Sequence, residues 1–348
     1  MRIAVVSVQV PFIRGGAENL ASGLVNALRE YGHEAELIMM PFRFGPTGKI
    51  LQNMDVWTAE DFTCFDCGKI DTVICLKFPC FYLSHSRKVV WLMHQHRTVY
   101  DLWHTKFSGG ISNTQEGLLL KDQITKRDTL ALKSACAVYT IAKNVSIRMQ
   151  QFNGVHSIPL YHPPANAERF YTSDTLPYIF CPSRLEGLKR QEFLIRAMKW
   201  VQSPVTAVIA GNGGIKPHLD ALICELELQD RVKLLGRISD EEMFVWYANC
   251  LGVFFGPYDE DYGYVTLEAM LSAKPVITCT DSGGPLEFVI SDETGLIVEP
   301  SPERIADAID RLYFDRNRSK SMGKAGLARY HEMDISWLNV VSKLTEGR

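Results

Sequence analysis

The feature that most constrains this chain is an alternation of short apolar runs with longer stretches of helical spacing. Candidate strands in the first half are Arg2–Val8, Ala35–Met40, Thr72–Leu76, Lys88–Met93 and Ala137–Ile141. In the second half they are Tyr178–Cys181, Val205–Gly211, Arg231–Leu235, Gly252–Phe255 and Pro275–Cys279. Runs this short and continuously apolar read as strands buried on both faces, which predicts parallel sheets covered by helices. The intervening stretches have the matching period. Ala17, Leu20, Ala21, Leu24, Val25, Leu28 and Tyr31 form one stripe, and Gly32 supplies a helix stop. Ser239-Asp-Glu-Glu242 is a capping box opening a helix that carries Met243, Val245, Trp246 and Ala248. Ser301-Pro302-Glu303 opens another, with proline at the first helical position.

A chain of 348 residues is long for one core and comfortable for two. The segment from Tyr161-His-Pro-Pro-Ala165 through Thr172-Ser-Asp-Thr-Leu-Pro177 is rich in proline and small polar residues, and reads as the linker. The expected architecture is α/β: two doubly wound domains, 1–168 and 176–330. Open sheets of this kind bind ligands outside the carboxyl ends of their strands, so the expected site is the cleft between the domains.

The net charge of −3 and pI near 6.3 argue against a nucleic-acid partner, which calls for a basic excess. No apolar run reaches the 18 or so residues that suggest a membrane span. The first residues start a strand without a signal-peptide layout, which points to a cytoplasmic chain with peripheral membrane contact left open. The nine cysteines, among them Cys75, Cys136, Cys181, Cys250 and Cys279, fall mostly in apolar segments, as buried reduced thiols do. Cys64 and Cys67 spell C-x-x-C but lack a second ligand pair, so incidental thiols are favoured over a metal site.

Charged residues and glycines collect where strands end. After Gly252–Phe255 comes a loop carrying Glu260, then Gly263, then a helix from about Tyr264 that carries Glu268. Two acids there bracket a helix N-terminus, whose N–H groups and dipole attract an anion, and glycine allows close approach. The plain alternative is a surface loop and an exposed helical glutamate. Arg184 and Lys189 follow Tyr178–Cys181 and suit a diphosphate, or are solvated cations. Gly15 and Gly16 precede the first helix without forming G-x-G-x-x-G. His94 ends Lys88–Met93 and is placed to face the cleft, with a structural histidine as the alternative; His96 and Arg97 follow it. Gly283, Gly284 and Glu287 lie after Pro275–Cys279, as a ligand loop or a simple turn and cap.

Taken together, "GGAE", "SRLEGLK", "GNGG", "LLGRISDEEM", "EDYGYVTLEAMLSAKPVI", "SGGPLEFV" and "TGLIV" resemble the retaining glycosyltransferases of family 4, which have the GT-B fold. The resemblance spans nearly the whole chain and is strongest over 178–313. The family usually has glycine in place of Ala273 or Lys274, and commonly glycine where this chain has Asp261.

The resemblance implies a metal-independent hexosyltransferase that moves a sugar from a GDP- or UDP-linked donor to an acceptor hydroxyl with retention, in polysaccharide or glycoconjugate synthesis. Glu260 would bind the transferred sugar, and Glu268 the nucleotide ribose. Arg184 and Lys189 would hold the diphosphate with backbone amides of Gly263, Tyr264 and Val265. Gly15 and Gly16 would approach the donor, His94 would sit near sugar and acceptor, and the base would lie by Arg237. A final helix, about 335–348 with Trp337, Leu338 and Val341, would cross back onto the first domain. The acceptor would be a saccharide or lipid-linked molecule, with Phe42, Phe44, Tyr100, Trp103 and Phe107 as contacts or as core. No cofactor is implied, although Asp259-Glu-Asp261 spells the D-x-D that binds metal in other glycosyltransferases. The alternatives are a GT-B nucleotide-sugar epimerase, a phosphorylase, a dehydrogenase, or a non-catalytic nucleotide-sugar-binding protein.

Overall fold

The structure, a computed structural model, describes residues 1–13 and 15–346. Two units form, one from residues 1–165 with the C-terminal segment beginning at Ile335, the other from Asn166–Asp334.

In the first unit, β1 (Arg2–Gln9) buries Ile3, Ala4, Val5, Val6 and Val8, leaving no polar face. It leads into α1 (Gly16–Glu30), whose core face is Leu20, Ala21, Leu24, Val25, Ala27 and Leu28. Tyr31 is 42% exposed rather than part of that stripe, because α1 ends there and the chain turns through Gly32 at φ +82°. Next come β2 (Glu34–Pro41), α2 (Thr47–Ala59) and a hairpin of β3 (Cys64–Phe65) and β4 (Gly68–Lys69). The unit continues through β5 (Thr72–Cys75), β6 (Lys88–Leu92), α3 (Gln115–Lys133), β7 (Ala137–Thr140), α4 (Lys143–Asn153) and β8 (Ile158–Pro159). The sheet is parallel in the order β2-β1-β5-β6-β7-β8.

The second unit contains β9 (Tyr178–Pro182), α5 (Gln191–Ala197), β10 (Thr206–Ala210), α6 (Lys216–Glu225) and β11 (Val232–Gly236). There follow α7 (Asp240–Asn249), β12 (Gly252–Phe254), α8 (Tyr264–Leu271), β13 (Val276–Cys279), α9 (Pro285–Phe288) and β14 (Gly295–Val298). Helices α10 (Pro302–Phe314) and α11 (Arg316–Glu332) complete it. Its parallel sheet runs β11-β10-β9-β12-β13-β14. Counting strands from β9, that order is 3-2-1-4-5-6, which reverses direction between β9 and β12.

The segment read as a linker is structured from Asn166 onward. Phe170 packs edge-on against Phe244 and Tyr247, with ring centroids 4.9 and 5.5 Å apart, and the Ser173 N–H donates to Ala248 O at 2.9 Å. The capping box at Ser239 forms, but the buried face of α7 is Phe244, Tyr247 and Ala248, while Val245 is 52% exposed. The hydroxyl of Ser301 caps α10, accepting from Arg304 N–H at 3.3 Å. All nine cysteines are free; Cys136 is exposed, unlike the buried Cys75, Cys181, Cys250 and Cys279.

The last helix, α12 (Trp337–Thr345), packs within the first unit on α1. Gly23 makes room for it, since a Cβ there would come within 2.6 Å of the Trp337 ring. Its buried residues are Val340, Val341 and Leu344, whereas Leu338 is exposed.

Candidate functional site

In the second unit, the reversal between β9 and β12 brings together two loops far apart in sequence. One follows β9 and carries Arg184 through Arg190; the other follows β12 and carries Gly256 through Gly263. Lys189 and Glu260 form an ion pair between them, both side chains mostly buried. The Lys189 ammonium also lies 5.7 Å from the centre of the Phe255 ring.

The pair rests on a clamp. Arg190 is buried and donates through Nε to Gly256 O (2.8 Å) and through NH2 to Pro257 O (2.7 Å). Its two terminal nitrogens bind the Asp281 carboxylate side by side at 2.8 and 2.6 Å, a bidentate geometry. Arg190 thus ties together the loops after β9, β12 and β13. It does so at φ +52°, a strained backbone for a non-glycine residue that the surrounding bonds hold in place.

Backbone contacts complete the frame. The N–H of Tyr258 donates to Leu188 O (2.8 Å), that of Asp259 to Asp281 O (2.9 Å) and that of Glu260 to Ser282 O (2.9 Å). Gly284 N–H returns to Glu260 O (2.8 Å), and only glycine fits, since a Cβ would meet Tyr262 O at 2.5 Å. The Gly211–Gly214 loop lies against the loop after β9: a Cβ on Gly211 would meet Ser183 O at 1.9 Å.

Gly263 caps α8 in the left-handed region, at φ +97°. Tyr264 and Val265 are the first two helical residues, so the amide end of α8, where N–H groups lack intrahelical acceptors, begins four residues after Glu260. One turn further on, Glu268 is half-buried rather than exposed and accepts a hydrogen bond from Tyr247 OH at 2.6 Å. Burial pushes its carboxyl up to about 7, Asp240 adds to the rise, and the Tyr247 hydrogen bond opposes it.

Two cations stand apart. The Arg184 side chain is exposed and pairs with Glu186 at 2.9 Å rather than with Glu260. Arg237 is exposed just beyond β11, after Gly236 at φ +72°. Glu287 lies in the short helix α9. Among the described residues, no group of three or more His, Cys, Asp or Glu side chains is arranged to hold a metal ion, Asp259 and Asp261 included.

In the first unit, Gly15 caps α1 with extended backbone, and its N–H donates to Glu18 Oε2 at 2.8 Å. Gly16 is the first residue of α1. His94 follows β6, half-buried, with Nδ1 donating to Gln95 O at 2.7 Å. The neutral ring therefore carries its lone pair on Nε2. His96 is buried among Phe42, Phe44 and Phe78, and burial, aided by His94, holds it neutral with a pKa pushed down to about 4. Arg97 is bound to Asp101 at 2.6 Å, a loop-structuring pair. Phe42, Tyr100 and Trp103 belong to the core and Phe107 is partly buried, while Phe44 is 56% exposed.

A buried polar network includes Gln95, the residue after His94. Asp128 accepts from Tyr82 OH (2.5 Å) and Tyr100 OH (2.7 Å). Asn153 donates to Tyr100 OH (3.3 Å) and to Thr129 Oγ1 (2.9 Å), and accepts from the amide of Gln95. Burial pushes the Asp128 carboxyl up to about 7, against the pull of the two tyrosines. Sequence reading named neither this network nor Arg190, Asp281 and Tyr247 as site supports. The one local signal was that Arg190 and Asp281 each lie just beyond a strand's carboxyl end.

This arrangement defines an α/β protein whose second unit presents a cation–carboxylate pair and a helix amide end at a sheet switch point, chemistry suited to an anionic, hydroxyl-bearing ligand. Residues 166–329 match the family model of the glycosyl transferases group 1. The GDP-mannose-dependent alpha-(1-6)-phosphatidylinositol monomannoside mannosyltransferase of Mycobacterium tuberculosis is 33% identical over 197 residues, 53% of this chain and 51% of that enzyme. The alpha-1,3/1,6-mannosyltransferase ALG2 of Mus musculus is 34% identical over 115 residues, 33% of this chain and 28% of that one. The chain thus spans about half or less of these curated relatives. An uncharacterized glycosyltransferase of Methanocaldococcus jannaschii is 23% identical over 90% of both chains. Among solved structures, sucrose-phosphate synthase of Thermosynechococcus elongatus aligns with a TM-score of 0.78 at 18% identity, covering 99% of this chain and 97% of that one. Anabaena Alr3699/HepE in complex with UDP and glucose aligns at 0.72 and 17% identity, covering 99% and 98%. The fold is GT-B, and the second unit is similar to the glycosyl transferases group 1.

Proposed function

We propose that the protein transfers a hexose from a nucleotide-diphosphate sugar to an acceptor hydroxyl, with retention at the anomeric carbon and without a metal or cofactor. The observation that carries this reading is the Lys189–Glu260 pair at the β9/β12 switch point, beside the amide end of α8. The charge pattern suits such a donor. Lys189, the backbone from Gly263 through Tyr264 to Val265, and Arg184 once turned from Glu186 would neutralise the diphosphate. Glu260, oriented by Lys189, would accept from sugar hydroxyls. Glu268, fixed by Tyr247, would accept from the ribose, with the base near Arg237.

In the reaction the bond between the anomeric carbon and the diphosphate oxygen breaks. The acceptor oxygen bonds to the same face of the sugar, and its proton passes to the departing phosphate. The cations and the helix end stabilise the charge that grows on the leaving group. On the first unit, Gly15 and Gly16 are assigned to close approach, and His94 to the sugar and acceptor.

GDP-mannose is the first donor to test, because two of the relatives are named as mannosyltransferases and one as GDP-mannose-dependent; UDP-sugars come second. The M. tuberculosis relative is named for a phosphatidylinositol mannoside, which supports a saccharide or lipid-linked acceptor in glycoconjugate synthesis. The exposed Phe44 is a contact suited to such an acceptor. No helix among the described residues is long and apolar enough to cross a membrane. We assign the protein to the cytoplasm, working on its acceptor at a membrane's inner face.

The test incubates protein, each donor and a panel of glycan and lipid-linked acceptors, and reads the anomeric configuration of the product by NMR. Transfer with the donor's configuration kept is expected. An inverted product, or a sugar epimerised without transfer, would overturn the reading.

A further inference from the structure

At the other end of the second unit's sheet lies a site that sugar transfer does not use. The amino ends of β12 and β13, the turn Ala273–Lys274–Pro275 and helix α11 enclose a cavity of about 270 Å³. It is lined by three lysines, Lys274, Lys320 and Lys324, and by Ser173, Thr175 and Ser319. Lys274 is only 3% exposed, and among the described residues its ammonium makes one hydrogen bond, a long one of 3.3 Å to Ser173 O.

A buried ammonium is costly unless paired. Among the described residues no carboxylate pairs with it, and two further cations stand on the same cavity. Lys320 and Lys324, four residues apart on α11, form no ion pair among the described residues. Burial lowers the pKa of Lys274 and Lys320 lowers it further; Cys250 and Asp174 pull the other way without bonding to it. The lysines are held together by close backbone packing. A Cβ on Gly323 would meet Ala273 O at 2.0 Å, so glycine lets α11 lie directly on the turn. Arg316, one turn before Lys320, fixes the rim by donating to Thr175 O at 3.3 Å.

We propose that this pocket binds a phosphate group, either inorganic phosphate or a small phosphomonoester. Three ammonium groups and flanking hydroxyls offer the many donors that a tetrahedral oxyanion accepts from. The volume holds far more than the roughly 30 Å³ share of one water, yet falls just below the roughly 300–1,000 Å³ of pockets for drug-sized ligands. The anion would supply the counter-charge that the fold withholds from Lys274. This site is independent of the donor site, which lies at the carboxyl ends of the same strands.

The test is a calorimetric titration of the full chain with inorganic phosphate and with glycerol 3-phosphate, at ionic strength held constant by potassium chloride. Wild type is compared with Lys320→Ala/Lys324→Ala, whose changes fall on exposed side chains and whose fold is checked by circular dichroism. Lys189→Ala serves as the donor-site control. Saturable binding is expected, weakened at least about tenfold in the double variant and unchanged in Lys189→Ala. Tighter binding of glycerol 3-phosphate than of phosphate assigns the pocket to a phosphorylated metabolite, and the reverse assigns it to free phosphate. No saturable binding of either, or binding lost in Lys189→Ala and kept in the double variant, would overturn the proposal.

Discussion

Lys189 and Glu260 are ion-paired although 71 residues separate them, because the sheet order sets β9 beside β12 and their following loops meet. Each charge holds the other at the edge of an apolar sheet. That is how two carboxylates, Glu260 and Glu268, occupy a junction between buried elements: one has a lysine, the other a tyrosine hydroxyl.

If the pair serves a donor, Lys189→Ala lowers kcat/KM by about 100- to 1,000-fold, the scale of removing one donor to a developing negative charge. Glu260→Gln, which takes the counter-charge from Lys189 and weakens an acceptor for sugar hydroxyls, lowers it by at least about tenfold. Steady-state kinetics with the identified donor check this. Less than a fivefold loss in both would remove the pair from the chemistry.

Arg190→Met breaks the clamp and leaves Asp281 and two carbonyls without their donor. Loss of one partner of a buried pair costs about 3–5 kcal/mol, and the expected loss is near about 3 because Asp281 is partly exposed to screening water. Urea unfolding of the variant measures it. An unchanged midpoint would contradict the clamp.

Glu268 gives a pH dependence with a definite sign. Its folded carboxyl titrates near 7 and its unfolded one near the ordinary value of 4.5, so the folded state holds more protons between those values. Its contribution to stability therefore falls as pH rises from about 4.5 to about 7. Compared with wild type, Glu268→Gln gains stability across that window, measured as the difference in urea midpoints. Asp128 contributes with the same sign between 3.8 and about 7, so the comparison must be made against wild type at each pH.

Ala273 sits at φ +50°, in the region that favours glycine. Ala273→Gly relieves about 1–2 kcal/mol of strain and gives back about 0.4–1 kcal/mol through the freer unfolded chain. A net gain of about 0.5 kcal/mol is expected in thermal or urea unfolding. A loss above about 1 kcal/mol would show that the alanine side chain packs.

Turnover is expected to be insensitive to EDTA, with the cations and the α8 amide end doing the work of a metal. Activity abolished by EDTA and restored by manganese would assign Asp259 and Asp261 to metal binding.

The strands were legible because their burial on both faces leaves continuous apolar runs. Four escaped, two of them the short hairpin strands β3 and β4. Of the other two, β8 is two residues ending in proline, and β14 is an edge strand with Ile297 and Val298 only half-buried, so neither needs a long apolar run. The core face of α7 was misread because adjacent residues in Met243-Phe-Val-Trp-Tyr247 are all apolar, and only packing against Phe170 and β9 selects Phe244 and Tyr247. Glu260, Glu268 and Lys189 stood out as charges at strand ends. The Arg190–Asp281 clamp did not, since the two lie 91 positions apart and only the strand order brings them together. Arg184 illustrates the converse: a charge in the expected loop whose side chain turns to a local partner, Glu186.

The central claim is that the second unit binds a nucleoside diphosphate through Lys189 and Glu268. Calorimetric titration with GDP, UDP and ADP of wild type, Lys189→Ala and Glu268→Ala tests it most directly. One nucleotide binding wild type saturably, with both folded variants weakened at least about tenfold, is the predicted result. No binding of any nucleotide, or variants that bind as wild type does, would contradict it.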